Sequence, residues 1–316
     1  MSRTVHLVSA GDAQPRLEDV RSSIFSDDCV VGVGGMVSGA SYAMPAVRGW
    51  SASQAIRRWA NRVIGHEDRL VAWGPSAAML GCRADRPLTV VLDGMPSESQ
   101  CKQLNDAMRW ADVTTVVGSE QMGACLEVSH HVTPLVSASW CKVPMPADEE
   151  DTVTKHWILI EPEDVGSVRS IVPLIGRMSL LGHASNVCIS GMARDKVPAL
   201  MQLNAVGMSD VQEDELTMAD LGEGMHVIFP ATDRGVVAPV GPALWCYAHG
   251  ATVMLPREHP AAEWIGSDPG VVTSIDQDPD RALSGIPLAE ANRADQVMQW
   301  ADVCQQMLRG VIGVSV

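Results

Sequence analysis

Gly191, Arg194 and Lys196 follow the apolar run "NVCIS" and open a stretch of helical periodicity. Two cations beside a helix N-terminus, where free backbone N–H groups carry about half a positive charge, suit a diphosphate. Solvated charges in a first helical turn would read the same way, so the residues alone leave both uses open. Arg234 stands in the loop after "HVIFPA". If both apolar runs are parallel strands of one sheet, their loops emerge on one edge and the three cations can converge. That loop leads through "GVVAPVGPALWCYAHG" into a short apolar helix, predicted to begin near Pro242 and to close at Gly250. Its N-terminus would be a second seat for an anion.

Asp93 ends the apolar run "LTVVLDG" and is followed by Gly94 and Pro96. At the C-terminal end of a parallel strand its carboxylate would face the ligand groove, as a base or an orienting group. Alternatively it caps the helix predicted to start near Ser97. Other chemistry is excluded by spacing. "VGVGGMVSGA" fails the dinucleotide pattern, because Val37 falls where the third glycine belongs. No G-x-S-x-G elbow and no H-E-x-x-H or H-x-x-x-H pair occurs. His130 and His131 are adjacent, so on a strand they point to opposite faces and cannot share a metal. No metal and no cofactor is expected.

Short runs apolar throughout must position these residues: "TVHLVSA", "CVVGVGG", "RLVAWG", "LTVVLDG", "VTTVVGS" and "VTPLVSA" before residue 140, then "HWILIEP", "NVCISG", "HVIFPA", "ATVML" and "GVVTSI". Between them lie amphipathic segments such as "SASQAIRRWANRVI" and "SESQCKQLNDAMRWA", each opened by a serine cap. Strands buried on both faces and alternating with helices form parallel sheets. The run "VPMPADEEDTV" at 143–153, with two prolines, four acids and no periodicity, is the best linker. The expected class is therefore α/β, with two doubly wound Rossmann-like domains, 1–147 and 153–316, facing a central cleft. A final helix over about 289–309 would place Ala294, Val297, Met298, Ala301, Cys304 and Leu308 on one face.

Composition bounds the partners. With 23 basic and 38 acidic residues the net charge is −15, and there are only two Tyr and two Phe. That is the wrong surface for nucleic acid, which wants a basic stripe and stacking rings. The eight cysteines contain no C-x-x-C pair and read as reduced, small apolar residues. No signal peptide and no stretch of about 18 apolar residues is present, so the expected location is cytoplasmic, without an integral membrane segment.

The order of pieces in "DRLVAWGPSAAMLG", "RPLTVVLDGMP", "ADVTTVVGSEQMGACL" and "VTPLV", continued by "VCISGMARDKVPALM" and "GPALWCYAHGATVMLPREHPAAEWIG", resembles the group-1 (family-4) glycosyltransferases over nearly the whole chain. The resemblance implies the GT-B fold, an acceptor-side first domain, a nucleotide-sugar-side second domain, and transfer of a sugar from that donor to an unknown acceptor. It places Asp93 where the family has a histidine. It implies a donor site built from Gly191, Arg194, Lys196, Asp233, Arg234, Gly241, Pro242 and Trp245. The family's two glutamates of the donor loop fall on Val237 and Trp245, and no carboxylate lies between Asp233 and Glu258. The acidic "EPEDVGSV" stands where the family holds the diphosphate with Arg and Lys. The implied donor site is degenerate; the alternative is a non-catalytic binding or scaffold protein on the same fold.

Overall fold

The computed structural model describes residues 4–9, 29–33, 42–43, 51–136, 156–159, 187–190, 212–213, 226–229, 240–273 and 292–313. The chain divides into two compact units, residues 1–139 together with 300–316, and residues 140–299. The linker expected at 143–153 lies outside the described residues.

The first unit is built on a seven-stranded sheet, β1 (Val5–Ser9), β2 (Cys29–Val33), β3 (Tyr42–Ala43), β4 (Arg69–Trp73), β5 (Leu88–Leu92), β6 (Val113–Val117) and β7 (His130–Val132). The spatial order is β3-β2-β1-β4-β5-β6-β7, with every pairing parallel. β5 is buried at all five positions, as a strand covered on both faces must be. Among the described residues its helices are α1 (Ser51–Val63), α2 (Pro75–Gly81), α3 (Glu98–Met108) and α4 (Glu120–Gly123). α1 turns Ile56, Ala60 and, just past its end, Ile64 inward, and leaves Arg57, Arg58 and Arg62 exposed. The last strand of this sheet, β7, is "HHV" and takes only Val132 from "VTPLVSA", because Pro134 has no N–H for a ladder. His130 and His131 alternate along β7, as expected of neighbours on a strand.

At the N-terminal edge of this sheet Asp68 fastens the entry of β4 to β1. Its carboxylate accepts the backbone N–H groups of Gly65 (2.7 Å) and Thr4 (3.3 Å) and meets His6 Nε2 at 3.0 Å. Burial opposes its ionisation, but those partners outweigh it and hold the carboxyl below its usual range.

The second unit repeats the plan with β8 (His156–Leu159), β9 (Val187–Ser190), β10 (Gln212–Glu213), β11 (His226–Ile228), β12 (Thr252–Met254) and β13 (Val271–Val272). Their order is β10-β9-β8-β11-β12-β13, again parallel throughout. Among its described residues are the helices α5 (Val240–Ala248) and α6 (Ala262–Ile265). α7 (Arg293–Ile312) begins in the second unit and ends in the first. Its buried residues include Val297, Ala301, Cys304, Leu308 and Ile312, spaced by three and four. Ala294, expected on that face, is exposed, because the buried stripe starts from Arg293 and Val297 instead, and Met298 is half-buried. Cys304, Leu308 and Ile312 join Val5, Leu7, Val71, Trp73, Val91, Val116 and Leu135 in one core of the first unit.

α5 ends as the sequence suggests. Gly250 takes φ 85°, its N–H donates to Tyr247 O, and the Ala251 N–H reaches back to Cys246 O, which together make a Schellman closure. Only glycine adopts that backbone without a Cβ penalty. Gly250→Ala is therefore expected to lower stability by about 1 kcal/mol, read as a shift of the urea midpoint at unchanged slope.

Candidate active site

In both sheets the chain runs outward from the first strand, then returns to the other side of it, so the crossover direction reverses between β1 and β4 and between β8 and β11. Ligands of open α/β sheets bind outside the C-terminal ends of the strands at such a reversal. The candidate site of each unit is that edge.

In the first unit the edge carries Ser9, Trp73, Gly74, Asp93 and Gly118. Gly74 sits at φ 86°, ψ 163°, a conformation open to glycine, and a Cβ built there would meet nothing within 4 Å. Its N–H donates to Val91 O at 2.8 Å, which seats the turn directly beside the strand that ends at Asp93. Gly118 N–H does the same to Leu92 O at 3.0 Å. Asp93 is half-buried, one residue past β5. It is not the cap of α3. That role belongs to Ser97, whose Oγ accepts the Gln100 N–H while Gln100 Oε1 accepts the Ser97 N–H, a complete capping box. α4 is closed likewise by the buried Ser119, whose Oγ accepts the Met122 N–H at 3.2 Å. Trp73 is buried at the end of β4, and its Nε1 has no partner among the described residues.

In the second unit α5 starts at Val240, two residues before the expected Pro242, so Pro242 lies inside the first turn and withholds one N–H from that end. Gly241 is buried and Pro242 half-buried. Trp245 is the other half-buried position of an otherwise buried helix, one turn on from Pro242. Its ring meets His249 edge to face, with centroids 5.7 Å apart, and His249 Nδ1 donates to the Trp245 carbonyl at 2.8 Å. Gly191, Arg194, Lys196, Asp233 and Arg234 lie outside the described residues.

Two features of this unit carry no motif and are not visible in the sequence. Phe229, just past β11, packs edge to face on His259, with centroids 5.4 Å apart, so the loop after β12 covers the end of β11. His259 Nδ1 accepts the Ala261 N–H at 3.1 Å, which leaves its proton on Nε2. Burial pushes this histidine down to about 3, so it is neutral at physiological pH. The second feature is a buried cation. Arg293 makes a fork to Asp268, 2.6 Å from Nη2 and 3.3 Å from Nε, donates from Nη1 to Ala251 O, and lies 4.4 Å from the Tyr247 ring centroid. Tyr247 donates to Asp268 Oδ2 at 2.8 Å, and burial, with that carboxylate beside it, pushes the phenol up. With its charge matched in this way, Arg293 is a structural cation.

No family model matches the chain, and no curated protein sequence matches it. Among solved structures, a glycosyltransferase involved in lipopolysaccharide biosynthesis, WaaG, superposes with a TM-score of 0.65 at 12% identity, covering 98% of this chain and 100% of that one. The fold is that of the GT-B glycosyltransferases. A UDP-forming α,α-trehalose-phosphate synthase from Burkholderia xenovorans, solved with glucose-6-phosphate, matches this GT-B chain at TM-score 0.63 and 9% identity, over 98% of this chain and 99% of its own. A UDP-N-acetylglucosamine 2-epimerase from Rickettsia bellii matches at TM-score 0.57 and 9% identity, over the full length of both. The GT-B fold thus carries more than one reaction, and the activity has to be argued from the residues. Among the described residues no helix of this GT-B chain is long and apolar enough to cross a membrane, and no group of three or more His, Cys, Asp or Glu is placed to hold a metal ion.

Proposed function

We propose that the protein transfers a sugar from a nucleotide-sugar donor to an acceptor, as a divergent relative of the group-1 (family-4) glycosyltransferases. The observation that carries this reading is the full-length match to GT-B glycosyltransferases with both sheets wound as β3-β2-β1-β4 and β10-β9-β8-β11. In this reading the first unit forms the acceptor side and the second the donor side, inside the cytoplasm. Such a reaction asks for stabilisation of a departing diphosphate more than for a nucleophile. The groups offered are Gly191, Arg194 and Lys196 beyond β9, Asp233 and Arg234 beyond β11, and the α5 start at Gly241 and Pro242. Trp245 stands for the ribose-binding glutamate and offers apolar surface instead. Asp93 faces the acceptor hydroxyl as base or orienting group. No metal or cofactor takes part.

The experiment is thermal stabilisation across UDP-, GDP-, ADP- and CMP-linked sugars. A ligand at about 100 times its Kd adds roughly 2.7 kcal/mol. Titration calorimetry with the best of them should then show Arg194→Ala and Arg234→Ala each weakening binding roughly ten- to a hundredfold, since a hydrogen bond to a charged group contributes about 1.5–3 kcal/mol. Unchanged affinity in both variants would remove the positive wall from the proposal. No stabilisation by any nucleotide sugar would favour a scaffold on the same fold, the reading that the missing donor-loop carboxylates support.

A further inference from the structure

Five cysteines of the described residues are free thiols, and two of them, Cys101 and Cys125, share one place in the fold. Cys101 lies in the first half of α3, on the turn before Asn105. The Asn105 side chain grips the segment that follows α4 at both of its polar atoms: Nδ2 donates to the Cys125 carbonyl at 3.1 Å, and Oδ1 accepts the Glu127 N–H at 3.0 Å. This pair of hydrogen bonds holds Cys125 against the face of α3 that Cys101 occupies one turn earlier. That placement brings the two thiols close enough for Cys125 to affect the ionisation of Cys101. Each also has a backbone acceptor, Pro96 O at 3.6 Å for Cys101 and Gln121 O at 3.7 Å for Cys125. Both are half-buried, whereas Cys246 and Cys304 are buried.

We propose that Cys101 and Cys125 are a redox-modifiable pair that closes to a disulfide when the protein meets a peroxide. The step balances as one thiol sulfur taking an oxygen from hydrogen peroxide, which leaves water and a sulfenic acid. The second sulfur then attacks the first, forms the S–S bond and releases a second water. Two thiols lose two hydrogens and two electrons, and one peroxide accepts them. Burial and the neighbouring thiol push Cys101 up to about 11, so it is protonated at neutral pH. Either sulfur can meet the peroxide first, and the other then resolves the sulfenic acid. Cys101 lies in the helix that follows the loop from Asp93 to Ser97, so the bond would tie that helix to the chain beyond β6. This inference does not depend on the glycosyltransferase reading.

The test treats the intact protein with hydrogen peroxide, alkylates the remaining thiols, and maps the peptides after cleavage at Lys, Arg and Glu. Cleavage at Glu127 separates Cys125 from Cys141. The expected result is a peptide pair joined through Cys101 and Cys125, two hydrogens lighter than its reduced parts and released by dithiothreitol. Closing this loop should raise the melting temperature by roughly 5–10 °C, an effect absent from Cys101→Ser and Cys125→Ser. Recovery of both cysteines as alkylated thiols under peroxide, or of either joined to a different cysteine, would overturn the proposal. Because the mapping is done on the wild-type chain, it decides the matter even where a variant fails to fold.

Discussion

Arg293→Ala should cost the second unit about 3–5 kcal/mol, the usual result of removing one partner from a buried ion pair and leaving the other charge behind. The side chain of Arg293 is 4% exposed and that of Asp268 16%. Without the guanidinium, Asp268 keeps the Gly270 N–H at 2.7 Å and the Tyr247 hydroxyl, but the arginine no longer balances it. The Ala251 carbonyl loses its donor as well. Arg293→Lys keeps the charge and gives up the fork, so it should fall between Ala and wild type. The measurement is urea unfolding of the three proteins at neutral pH, and a cost below about 1 kcal/mol for Ala would mean that Asp268 is satisfied without the arginine.

The pair also sets an acid limit. Burial opposes ionisation of Asp268, yet the hydrogen bonds from Arg293, Gly270 and Tyr247 prevail and hold the carboxyl below its usual range. A depressed folded-state pKa contributes stability that is present above the unfolded-state value and is lost as pH falls through the folded one. Wild-type stability should therefore fall on the acid side of about pH 4, and Arg293→Ala should show a shallower fall there, because its contribution is already gone.

The second large effect belongs to the proposed chemistry. Asp93→Asn should lower turnover of the best nucleotide sugar by roughly 10²- to 10⁴-fold, the range that general-base catalysis contributes. Nucleotide affinity should be unchanged, since the donor groups are assigned to the other unit. The start of α3 should be unaffected too, because Ser97 and Gln100 cap it without help from Asp93. The comparison is kcat against the nucleotide Kd in the same two proteins. Wild-type turnover in the Asn variant would leave Asp93 with no part in the reaction.

The fold is legible where its signals are local. Runs such as "LTVVL" are apolar at every position only when both faces of a sheet are covered, and β5 is buried throughout. Ser97 and Gly250 announce a helix start and a helix end by residue type, and both act as such. "VTPLVSA" misleads about β7 because it has strand composition, while the missing N–H of Pro134 decides the pairing. The start of α5 at Val240 rather than Pro242 is a similar boundary shift. What the sequence does not announce are contacts between distant positions. Tyr247, Asp268 and Arg293 carry no common motif, and nothing in their spacing joins them. The eight cysteines read one at a time as small apolar residues, and only the folding of α3 against the turn after α4 pairs Cys101 with Cys125. For the site, Asp93 is marked by its place at a strand end, while His259 escapes notice because a histidine in a Pro-flanked loop carries no periodic signal.

α7 has a consequence for how the protein is made. Its last turns supply Cys304, Leu308 and Ile312 to a core whose other members are all synthesised before residue 140. Translation adds about 5–20 residues per second, so this part of the first unit waits for many seconds with an apolar surface uncovered while the second unit emerges. Domain-by-domain folding in order of synthesis therefore cannot finish the first unit first, and its core closes only when the end of the chain arrives.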